Sequence, residues 1–500
     1  MTMSLRPPTG TPHVLFADGV HGTVRRRGES VQHALKSELR GPAVLGGGIA
    51  LAVALAAIIA SAGPKLAMLM LIISSVATAV ALYPAFGAYL LIGITPLVAG
   101  IDRGAAIPIL RPNEALLLIV AVALGVRVAL SVKATAWPRL RLSRLDVAIL
   151  LVAVTSSVVP LAWIALRGRP IEQDDVLYSI MVWKYYVVFL VFRAAVRSVA
   201  EVRACLWLSL TSATIVATLA ILQSLGHLGV GAFLSAHYAP YGNVAAVNNN
   251  RGGSTLGLPI AVADLMTFNI AIAVGLLKCR STLRPLLFAM ASLFVIGVFA
   301  AGEFSGLIAL LLSAVAIALV TRQVRYLGLL PAAAGVAALV LRSVIERRLH
   351  GFQSPSGLPT SWEGRLHNLE NYFFPQLFSG ENWILGVRPA ARVVSRTMAT
   401  GYIWIESGYT WLLWAGGVPL LGSFFYFLWA AGREALSVVR AREDAVSAAA
   451  LAVVTALTVI GVLMIIDPHL TYRGSADLLF ALLGITAAGR SMPTRGMRTP

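Results

Sequence analysis

The chain has 500 residues, of which 58% are hydrophobic and only 12% are charged, with a formal net charge of +18. Soluble domains carry about 25% charged residues, so the charges here are too few to cover a water-facing surface, which excludes a soluble enzyme. Two cysteines, Cys205 and Cys279, are too few for a disulfide framework or a thiolate metal site. Walker and dinucleotide-binding glycine motifs are absent, which argues against ATP hydrolysis within the chain.

Residues 1–41 are polar and rich in arginine. They lack the short apolar run and small-residue cleavage site that mark a signal peptide. We expect them to form a disordered, basic tail on the cytoplasmic side of a membrane.

Long apolar runs, mostly of 17–25 residues, follow one another from residue 42 to residue 489. A helix of that length crosses the roughly 30 Å hydrocarbon core of a bilayer, and within lipid it satisfies its own backbone hydrogen bonds. The sequence therefore predicts an all-α polytopic membrane domain over 42–489 and a short cytoplasmic tail over 490–500. About 14 transmembrane helices (12–14) are expected, near 42–62, 65–82, 84–100, 113–131, 146–166, 177–194, 203–225, 257–277, 286–302, 305–321, 326–344, 403–430, 446–466 and 474–489.

The Lys and Arg residues predict the orientation of these spans, because such residues accumulate in short loops on the cytoplasmic side. With the N-terminus in the cytoplasm, most of the 40 Lys and Arg residues fall on that side. An even number of spans then returns the C-terminus to the cytoplasm. Much of the positive charge is thus a topology signal, and we expect membrane lipids as partners and no nucleic acid.

Two predicted outer loops are long, at about 226–256 and about 345–402. Long loops in compact proteins are usually functional or disordered. The large second loop and its junction with the next span are rich in aromatic residues, which together with Arg and Asn suit a sugar site: Trp362, Tyr372, Phe373, Phe374, Trp383, Tyr402 and Trp404. The alternative is an amphipathic loop that lies on the membrane surface.

Three arginines near these loops are candidate ligands for a diphosphate. Arg251 precedes a Gly-Gly turn at the mouth of a span, and Arg365 and Arg388 flank the aromatic stretch. The rigid guanidinium fork matches the geometry of a diphosphate and stays charged. Binding of lipid headgroups by the same arginines is the competing interpretation.

Three further residues are candidates for proton transfer at the same outer level. His367 lies between two glutamates of the large loop, Glu406 lies where that loop re-enters the membrane, and Glu303 lies in a tight turn between two spans. A carboxylate or an imidazole in such a place can accept a hydroxyl proton. Alternatively, His367 lies on a solvated helix face and Glu303 pairs with an arginine.

Two ionisable residues, Lys184 and Asp264, fall inside predicted spans. Ionisable residues at membrane depth are costly and usually pair or face a cavity. Both lie about seven positions from the outer ends of their spans, so we predict that they pair with each other or share one polar cavity. Such a pair would either fix two helices together or take part in the chemistry.

Three segments resemble the bacterial O-antigen ligase and O-antigen polymerase superfamily. The segment ESGYTWLLWAGGVPLL is similar to the family's re-entry segment, with Tyr409, Gly416 and Gly417 at matching positions. NNNRGGSTLGLPIAVADLM resembles the family's Arg/Gly/Pro stretch, and WEGRLHNLENYFFPQLFSGENWILGVRP resembles its loop segment. The likeness covers about 225–430 by motif and the whole chain by topology.

The resemblance implies a GT-C-like glycosyltransferase architecture in the cytoplasmic (inner) membrane. It implies a metal-independent, inverting transfer, without a cofactor, of a glycan from a polyprenyl-diphosphate donor to an acceptor hydroxyl outside that membrane. The acceptor would be a lipid for a ligase, or a second lipid-linked glycan for a polymerase.

The resemblance also carries over to individual residues. Arg365 matches the family's loop arginine, which binds the diphosphate, and Glu406 stands where the family's ligases carry a catalytic histidine. The family's Ser-Arg-Gly turn corresponds to the turn at Glu303, which lacks the arginine. Arg251 or Arg388 would then supply that charge.

A lipid-linked glycan flippase or another polytopic transporter is the main alternative. Transporters usually contain two similar halves with balanced loops. The halves of this chain show no convincing self-similarity, and the large loop lies in only one of them. Both features favour an enzyme.

Overall fold

The computed structural model describes residues 68–131 (except 106 and 108), 142–239, 247, 251–279, 283–323, 329–342, 346, 360–395 and 401–493. The chain divides into two compact units, Met1–Ser75 and Val76–Pro500. Only residues 68–75 of the first unit are described, so the site and its supporting helices are those of the second. The predicted tail 1–41, the predicted span 42–62 and residues 494–500 of the predicted C-terminal tail lie outside the described residues.

Helices make up most of the described chain. In chain order they are α1 (Met68–Leu82), α2 (Pro84–Val98), α3 (Pro112–Ser131), α4 (Arg144–Thr155), α5 (Val158–Leu166), α6 (Gln173–Ala195), α7 (Val199–Leu225), α8 (Val230–His237), α9 (Pro259–Lys278), α10 (Arg284–Ala301), α11 (Phe304–Thr321), α12 (Leu329–Val340), α13 (Thr360–Asn368), α14 (Phe374–Leu377), α15 (Asn382–Leu385), α16 (Gly408–Ala441), α17 (Ala445–Leu463) and α18 (Ser475–Gly489). The remaining regular elements are two 3₁₀ turns, Ser254–Leu256 and His469–Thr471, a π-helical turn, Leu369–Phe373, and an antiparallel pair of short strands, β1 (Arg392–Val394) and β2 (Tyr402–Trp404).

Nine helical segments in the described part of the chain are long and apolar enough to cross a bilayer: α3, α4 continued by α5, α6, α7, α9, α10, α11, α16 and α17. Helices α1, α2 and α18 are apolar but shorter. The protein is therefore an all-α, multi-pass membrane protein, as the sequence predicts. The total of 12–14 spans and the orientation of the chain stay predictions.

Most predicted spans coincide with helices, but two regions differ. Within the large predicted loop, residues 360–395 are folded into α13, the π-helical turn, α14, α15 and β1. The predicted span 403–430 is instead α16, which begins at Gly408 and continues to Ala441. Ser407 caps its N-terminus, since the Ser407 hydroxyl accepts a hydrogen bond from the Thr410 N–H. An apolar run predicts a membrane-spanning helix, whereas the capping residue determines where that helix begins.

Helix α9 lies at the centre of the bundle. Every residue of its apolar window is buried, and it packs against α7, α10, α11 and α17. Gly275 allows the close approach of α17, because a Cβ there would lie 2.6 Å from the Ala448 Cα. Small residues at such crossings let helix backbones approach within a membrane. This central position leaves Asp264, the one acidic residue of α9, without access to water.

Helix α16 is interrupted at Gly417. Gly417 has φ +65° and ψ −157°, a conformation open essentially to glycine alone. The break makes room for α15, because a Cβ at Gly417 would collide with the Ile384 carbonyl oxygen. Pro419, which has no backbone N–H, follows within the same turn. Residues 408–416 thus form a separate helical segment, and α15 packs against α16.

Replacement of Gly417 by Ala is expected to destabilise the protein. The disfavoured backbone conformation costs about 1–3 kcal/mol, and the collision with α15 adds to it. Gly422→Ala is the matched control, because Gly422 lies in the same helix with nothing within 4 Å of the added Cβ. Thermal unfolding of the purified variants in detergent should give a lower midpoint for Gly417→Ala only. Equal midpoints would mean that the break at Gly417 is not required.

Candidate functional site

The segment between α17 and α18, residues 464–474, brings polar side chains into one end of the bundle. We call it the α17–α18 connection. Asp467 and His469 are buried there, and Pro468 between them leads into the 3₁₀ turn His469–Thr471. A buried charge or imidazole is stable only when it is paired or hydrogen-bonded. The partners of these two side chains come from other elements of the fold.

Asp467 holds Arg365 of α13. The Arg365 Nη1 donates to Asp467 Oδ2 at 2.6 Å, and the Tyr472 hydroxyl donates to Asp467 Oδ1 at 3.2 Å. Both oxygens of the carboxylate are therefore occupied, which offsets its removal from water. The Arg365 guanidinium is consequently held in one orientation.

Glu406 is a second carboxylate beside Arg365. Its Oε2 lies 3.7 Å from the Arg365 Nε, which is beyond hydrogen-bond distance. The Glu406 side chain is 41% exposed, whereas that of Asp467 is 4% exposed. The Tyr409 N–H donates to the Met464 carbonyl at 2.9 Å and so keeps the start of α16 next to the α17–α18 connection. One guanidinium thus faces two carboxylates, one bound closely and one loosely.

The surroundings shift the pKa values of all three groups. Burial raises the pKa of Glu406, attraction to Arg365 opposes the rise, and repulsion by Asp467 and Glu303 adds to it. Burial also raises the pKa of Asp467, against the attraction of Arg365 and His469. Burial alone would lower the pKa of Arg365, but Asp467 and Glu406 outweigh it and raise that pKa. Arg365 therefore stays charged, and Glu406 is the more exposed of the two carboxylates beside it.

Glu303 and Arg251 add a second charge pair at the same place. Glu303 precedes α11, and its Oε1 accepts a hydrogen bond from Arg251 Nη1 at 3.2 Å. Repulsion by Glu303 reaches both Glu406 and Asp467, so this pair borders the Arg365 group. We call Arg251, Glu303, Arg365, Glu406 and Asp467 the arginine–carboxylate cluster. Four of its members are residues that the sequence singles out, and their roles stay predictions.

His469 pairs with Asp264 of α9 next to this cluster. The His469 Nδ1 lies 2.9 Å from Asp264 Oδ2 and 3.0 Å from Oδ1, and both side chains are fully buried. The Tyr472 ring packs edge-on against the imidazole, with 5.5 Å between centroids. The other ring nitrogen, Nε2, is buried without a hydrogen-bond partner among the described residues. Such an atom costs stability of about 1–3 kcal/mol, so the pair is not optimised for stability alone.

Lys184 and Asp264 do not pair with each other, which corrects the prediction. The Lys184 Nζ of α6 lies 3.0 Å from Asp477 Oδ1 in the first turn of α18, and Asp264 takes His469. The reason is helix adjacency: α6 packs along α18, whereas α9 packs along α17 and meets the connection that follows it. Equal depth in the membrane does not make two side chains neighbours.

A cleft beside Lys184 and Asp477 does not extend to the second pair, His469 and Asp264. It is partly open to the surroundings and lies between apolar residues of α2, α3, α6 and α18. Asn113 also lines it, but Asp264 does not. A single polar cavity shared by Lys184 and Asp264 is therefore not found at this cleft.

Arg388 has a different setting from Arg365. Its Nε and Nη2 donate to the two oxygens of buried Asp175 at 3.0 and 2.7 Å, and Nη2 also lies 2.9 Å from Glu172 Oε1. The Ala390 N–H adds a third bond to Asp175 at 3.2 Å. Bidentate pairing of this kind is strong and directional. Arg388 thus anchors the segment after α15 to the N-terminus of α6, and this setting gives no support to its predicted diphosphate role.

His367 lies on the exposed face of α13. The Asn371 amide lies 3.1 Å from its Nδ1 and donates to its main-chain oxygen at 2.8 Å. Residues two positions apart on a helix do not face each other, so His367 points away from the direction of Arg365. The structure matches the alternative interpretation of His367, a solvated helix face.

The aromatic residues of the large predicted loop divide into two sets. Phe373 is buried, and its ring packs edge-on against Trp414 of α16 with 5.2 Å between centroids. Trp383 is exposed, and Tyr402 lies under the Arg392 guanidinium, 3.7 Å from ring centre to guanidinium carbon. The first set forms core. The second set is more accessible, and the sugar site and the membrane-surface loop stay the two interpretations of it.

Sequence reasoning missed Asp467, His469 and Asp477 as site residues. The signal is present in the segment DPHLTYRGSAD, which places several titratable residues between two apolar runs. Asp467, His469 and Asp477 are buried in the fold and not carried into water. They pair within the bundle instead, as does Arg473, whose Nη1 lies 3.1 Å from Asp102 Oδ1.

Comparison with protein-family models, with curated proteins and with solved structures gives no match. The class of the protein therefore follows from its own fold: it is a multi-pass α-helical membrane protein with an arginine–carboxylate cluster at one end of its bundle. In the described residues, no group of three or more His, Cys, Asp and Glu side chains is arranged to hold a metal ion.

Double substitutions distinguish the observed ion pair from the predicted one. Lys184→Met leaves Asp477 as an unpaired carboxylate, and removal of one partner of a buried pair costs about 3 kcal/mol. A further Asp477→Asn change removes that charge and keeps an acceptor for the Gly474 N–H, which now donates to Asp477 Oδ2 at 3.0 Å. Lys184→Met/Asp477→Asn should therefore unfold at a higher temperature than Lys184→Met, measured on purified protein in detergent.

The matched control is Lys184→Met/Asp264→Asn. It should be no more stable than Lys184→Met, because Asp264 faces His469. Recovery of stability with Asp264→Asn, and none with Asp477→Asn, would reinstate the pairing predicted from the sequence.

Proposed function

We propose that the protein is a membrane glycosyltransferase. It transfers a glycan from a polyprenyl-diphosphate donor to an acceptor hydroxyl at the outer face of the cytoplasmic (inner) membrane, as a polysaccharide polymerase or ligase of the O-antigen type. The observation that carries this proposal is the setting of the Arg365 guanidinium. Asp467 holds it through Nη1, and its Nε faces the partly exposed Glu406. The resemblance of residues 225–430 to the O-antigen ligase and polymerase superfamily supports the same reaction.

Such a transfer needs a cation for the leaving group and a base for the acceptor. Arg365 remains charged because the carboxylates around it raise its pKa, and Arg251 supplies a second guanidinium at the border of the cluster. A diphosphate is already a good leaving group, so charge stabilisation contributes more than protonation. Glu406 supplies a carboxylate that a ligand can reach.

The reaction is a single displacement. The acceptor hydroxyl oxygen attacks the anomeric carbon while Glu406 takes the hydroxyl proton. The bond from the anomeric carbon to the diphosphate oxygen breaks, and its electron pair leaves with the diphosphate, whose charge Arg365 and Arg251 balance. One displacement inverts the configuration of the anomeric carbon. The large predicted outer loop orients the two substrates and limits the access of water.

A proton-coupled transporter, such as a lipid-linked glycan flippase, is a second candidate. The observation that favours it is the presence of two pairs of ionisable side chains within the bundle, Lys184–Asp477 and His469–Asp264. Ionisable residues at membrane depth commonly mark ion or proton pathways. The arginine–carboxylate cluster, concentrated at one end of the bundle, favours the transferase.

Complementation of a deletion strain tests the transferase. The deletion should accumulate lipid-linked glycan at the outer face, and the wild-type gene should restore long or ligated glycan. Arg365→Ala and Glu406→Gln should each lower the amount of product by about 100-fold or more, since a positioned base or charge contributes that much. Glycan ladders on gels, compared at equal membrane expression, give the measurement.

Glu370→Gln is the matched control for Glu406→Gln. Glu370 is exposed on the π-helical turn after α13, so its replacement should leave product formation at the wild-type level. Wild-type activity of both Arg365→Ala and Glu406→Gln would show that the site is wrong. Accumulation of the glycan at the cytoplasmic face would identify a flippase.

A further inference from the structure

The charge of the arginine–carboxylate cluster is not complementary to a diphosphate. The cluster holds two guanidinium groups and three carboxylates. A diphosphate adds negative charge to a place where carboxylates already outnumber arginines. One of the carboxylates must therefore move away from its arginine, or bind a proton, when the anion enters.

Glu406 is the carboxylate that can give way. Asp467 is almost fully buried and uses one oxygen for Arg365 at 2.6 Å and the other for Tyr472 at 3.2 Å. Glu303 is 18% exposed and accepts a hydrogen bond from Arg251 at 3.2 Å. Glu406 is 41% exposed and stands 3.7 Å from its arginine, without a hydrogen bond to it. Displacement of Glu406 therefore costs less free energy than displacement of Asp467 or Glu303.

The position of Glu406 is also the position that a phosphate would take. A guanidinium group binds a phosphate with two parallel N–H bonds, one of which can come from Nε. Asp467 occupies Nη1 of Arg365 and leaves the edge formed by Nε and Nη2. Glu406 stands in front of that edge, on the Nε side. The carboxylate and an incoming phosphate therefore compete for the same donors.

We propose that Glu406 is an internal anion that the donor diphosphate displaces from Arg365, and that this displacement turns Glu406 into a stronger base. The inference rests on the proposed function and adds a regulation of the same site. Without donor, Arg365 stabilises the Glu406 carboxylate and weakens it as a base. With donor bound, the carboxylate is free to take the acceptor proton. The base is thus active only when the sugar to be transferred is present.

The groups around Glu406 fix the direction of this change. Arg365 of α13 is the cation that lowers its pKa, while Asp467 of the α17–α18 connection and Glu303 before α11 raise it. Arg251 pairs with Glu303. A diphosphate neutralises Arg365 and adds its own negative charge, and the two other carboxylates stay in place. The proton affinity of Glu406 must therefore rise when a diphosphate binds.

Calorimetric titration of the purified full-length protein in detergent with farnesyl diphosphate tests the inference. At mildly acidic pH, titrations in buffers of different ionisation enthalpy give the number of protons taken up on binding. The wild type should take up more protons than Glu406→Gln, which has lost the titrating group. Glu406→Gln should also bind about tenfold tighter, because a neighbouring cation shifts a carboxylate pKa by about one unit or more and that attraction no longer competes. Protonation of the diphosphate itself is common to both proteins and cancels in the difference.

Glu370→Gln again serves as the matched control and should bind and take up protons like the wild type. The displacement would be contradicted if wild type and Glu406→Gln bound with equal affinity and equal proton uptake. Loss of binding in Arg365→Ala in the same experiment would still support the diphosphate site. Failure of both the wild type and Glu406→Gln to bind farnesyl diphosphate would overturn the displacement together with the proposed function.

A transfer assay gives a second test. The pH dependence of kcat/KM reports the free protein, and that of kcat reports the substrate-bound protein. Activity is lost as Glu406 becomes protonated, so both profiles should fall towards acidic pH. The fall in kcat should lie at higher pH than the fall in kcat/KM, because bound diphosphate raises the pKa of the base. Coincident profiles would contradict the inference.

Discussion

A charge taken out of water into a membrane protein must find an opposite charge, and this constraint organises one end of the bundle. The α17–α18 connection and the first turn of α18 provide the partners: a carboxylate for α13, an imidazole for α9 and a carboxylate for α6. Three distant parts of the chain are tied to one short stretch as a result. Removal of one partner from any of these pairs is costly, because the other partner is left buried and unpaired. The first of these contacts, Arg365–Asp467, fixes α13 against the α17–α18 connection.

The same constraint separates a fixed part of the cluster from a movable part. Asp467 is saturated by Arg365 and Tyr472 and acts as a support. Glu406 shares the guanidinium at longer range and keeps contact with solvent. A site that binds an anion and then moves a proton needs both properties, a cation that does not reorient and a carboxylate that does. The proposed transferase uses this difference, and the displacement of Glu406 is its direct consequence.

The elements of the fold could largely be predicted from the sequence. The run 446–466 is α17 (Ala445–Leu463), and the short run 474–489 is α18 (Ser475–Gly489). Such agreement is expected because the length of an apolar run and the cost of its unpaired backbone are local properties of the chain. The residues Arg251, Glu303, Arg365 and Glu406 were also accessible, since they stand at the ends of apolar runs and the topology brings those ends to one side.

Pairing between side chains was decided by tertiary structure alone. Lys184 and Asp264 lie at similar positions in their spans, yet Lys184 pairs with Asp477 of α18 and Asp264 with His469 of the α17–α18 connection, because only adjacent elements exchange contacts. Tertiary packing likewise decides that Arg388 pairs with Asp175 and that His367 is exposed, since both depend on how residues 360–395 pack against α6 and α16. The sequence by itself therefore determined that this chain lives in a membrane, where its helices run and which charges stand at their ends. The packing of those helices determined which charges meet, because the distance between two side chains is a property of neighbouring elements and not of position along the chain.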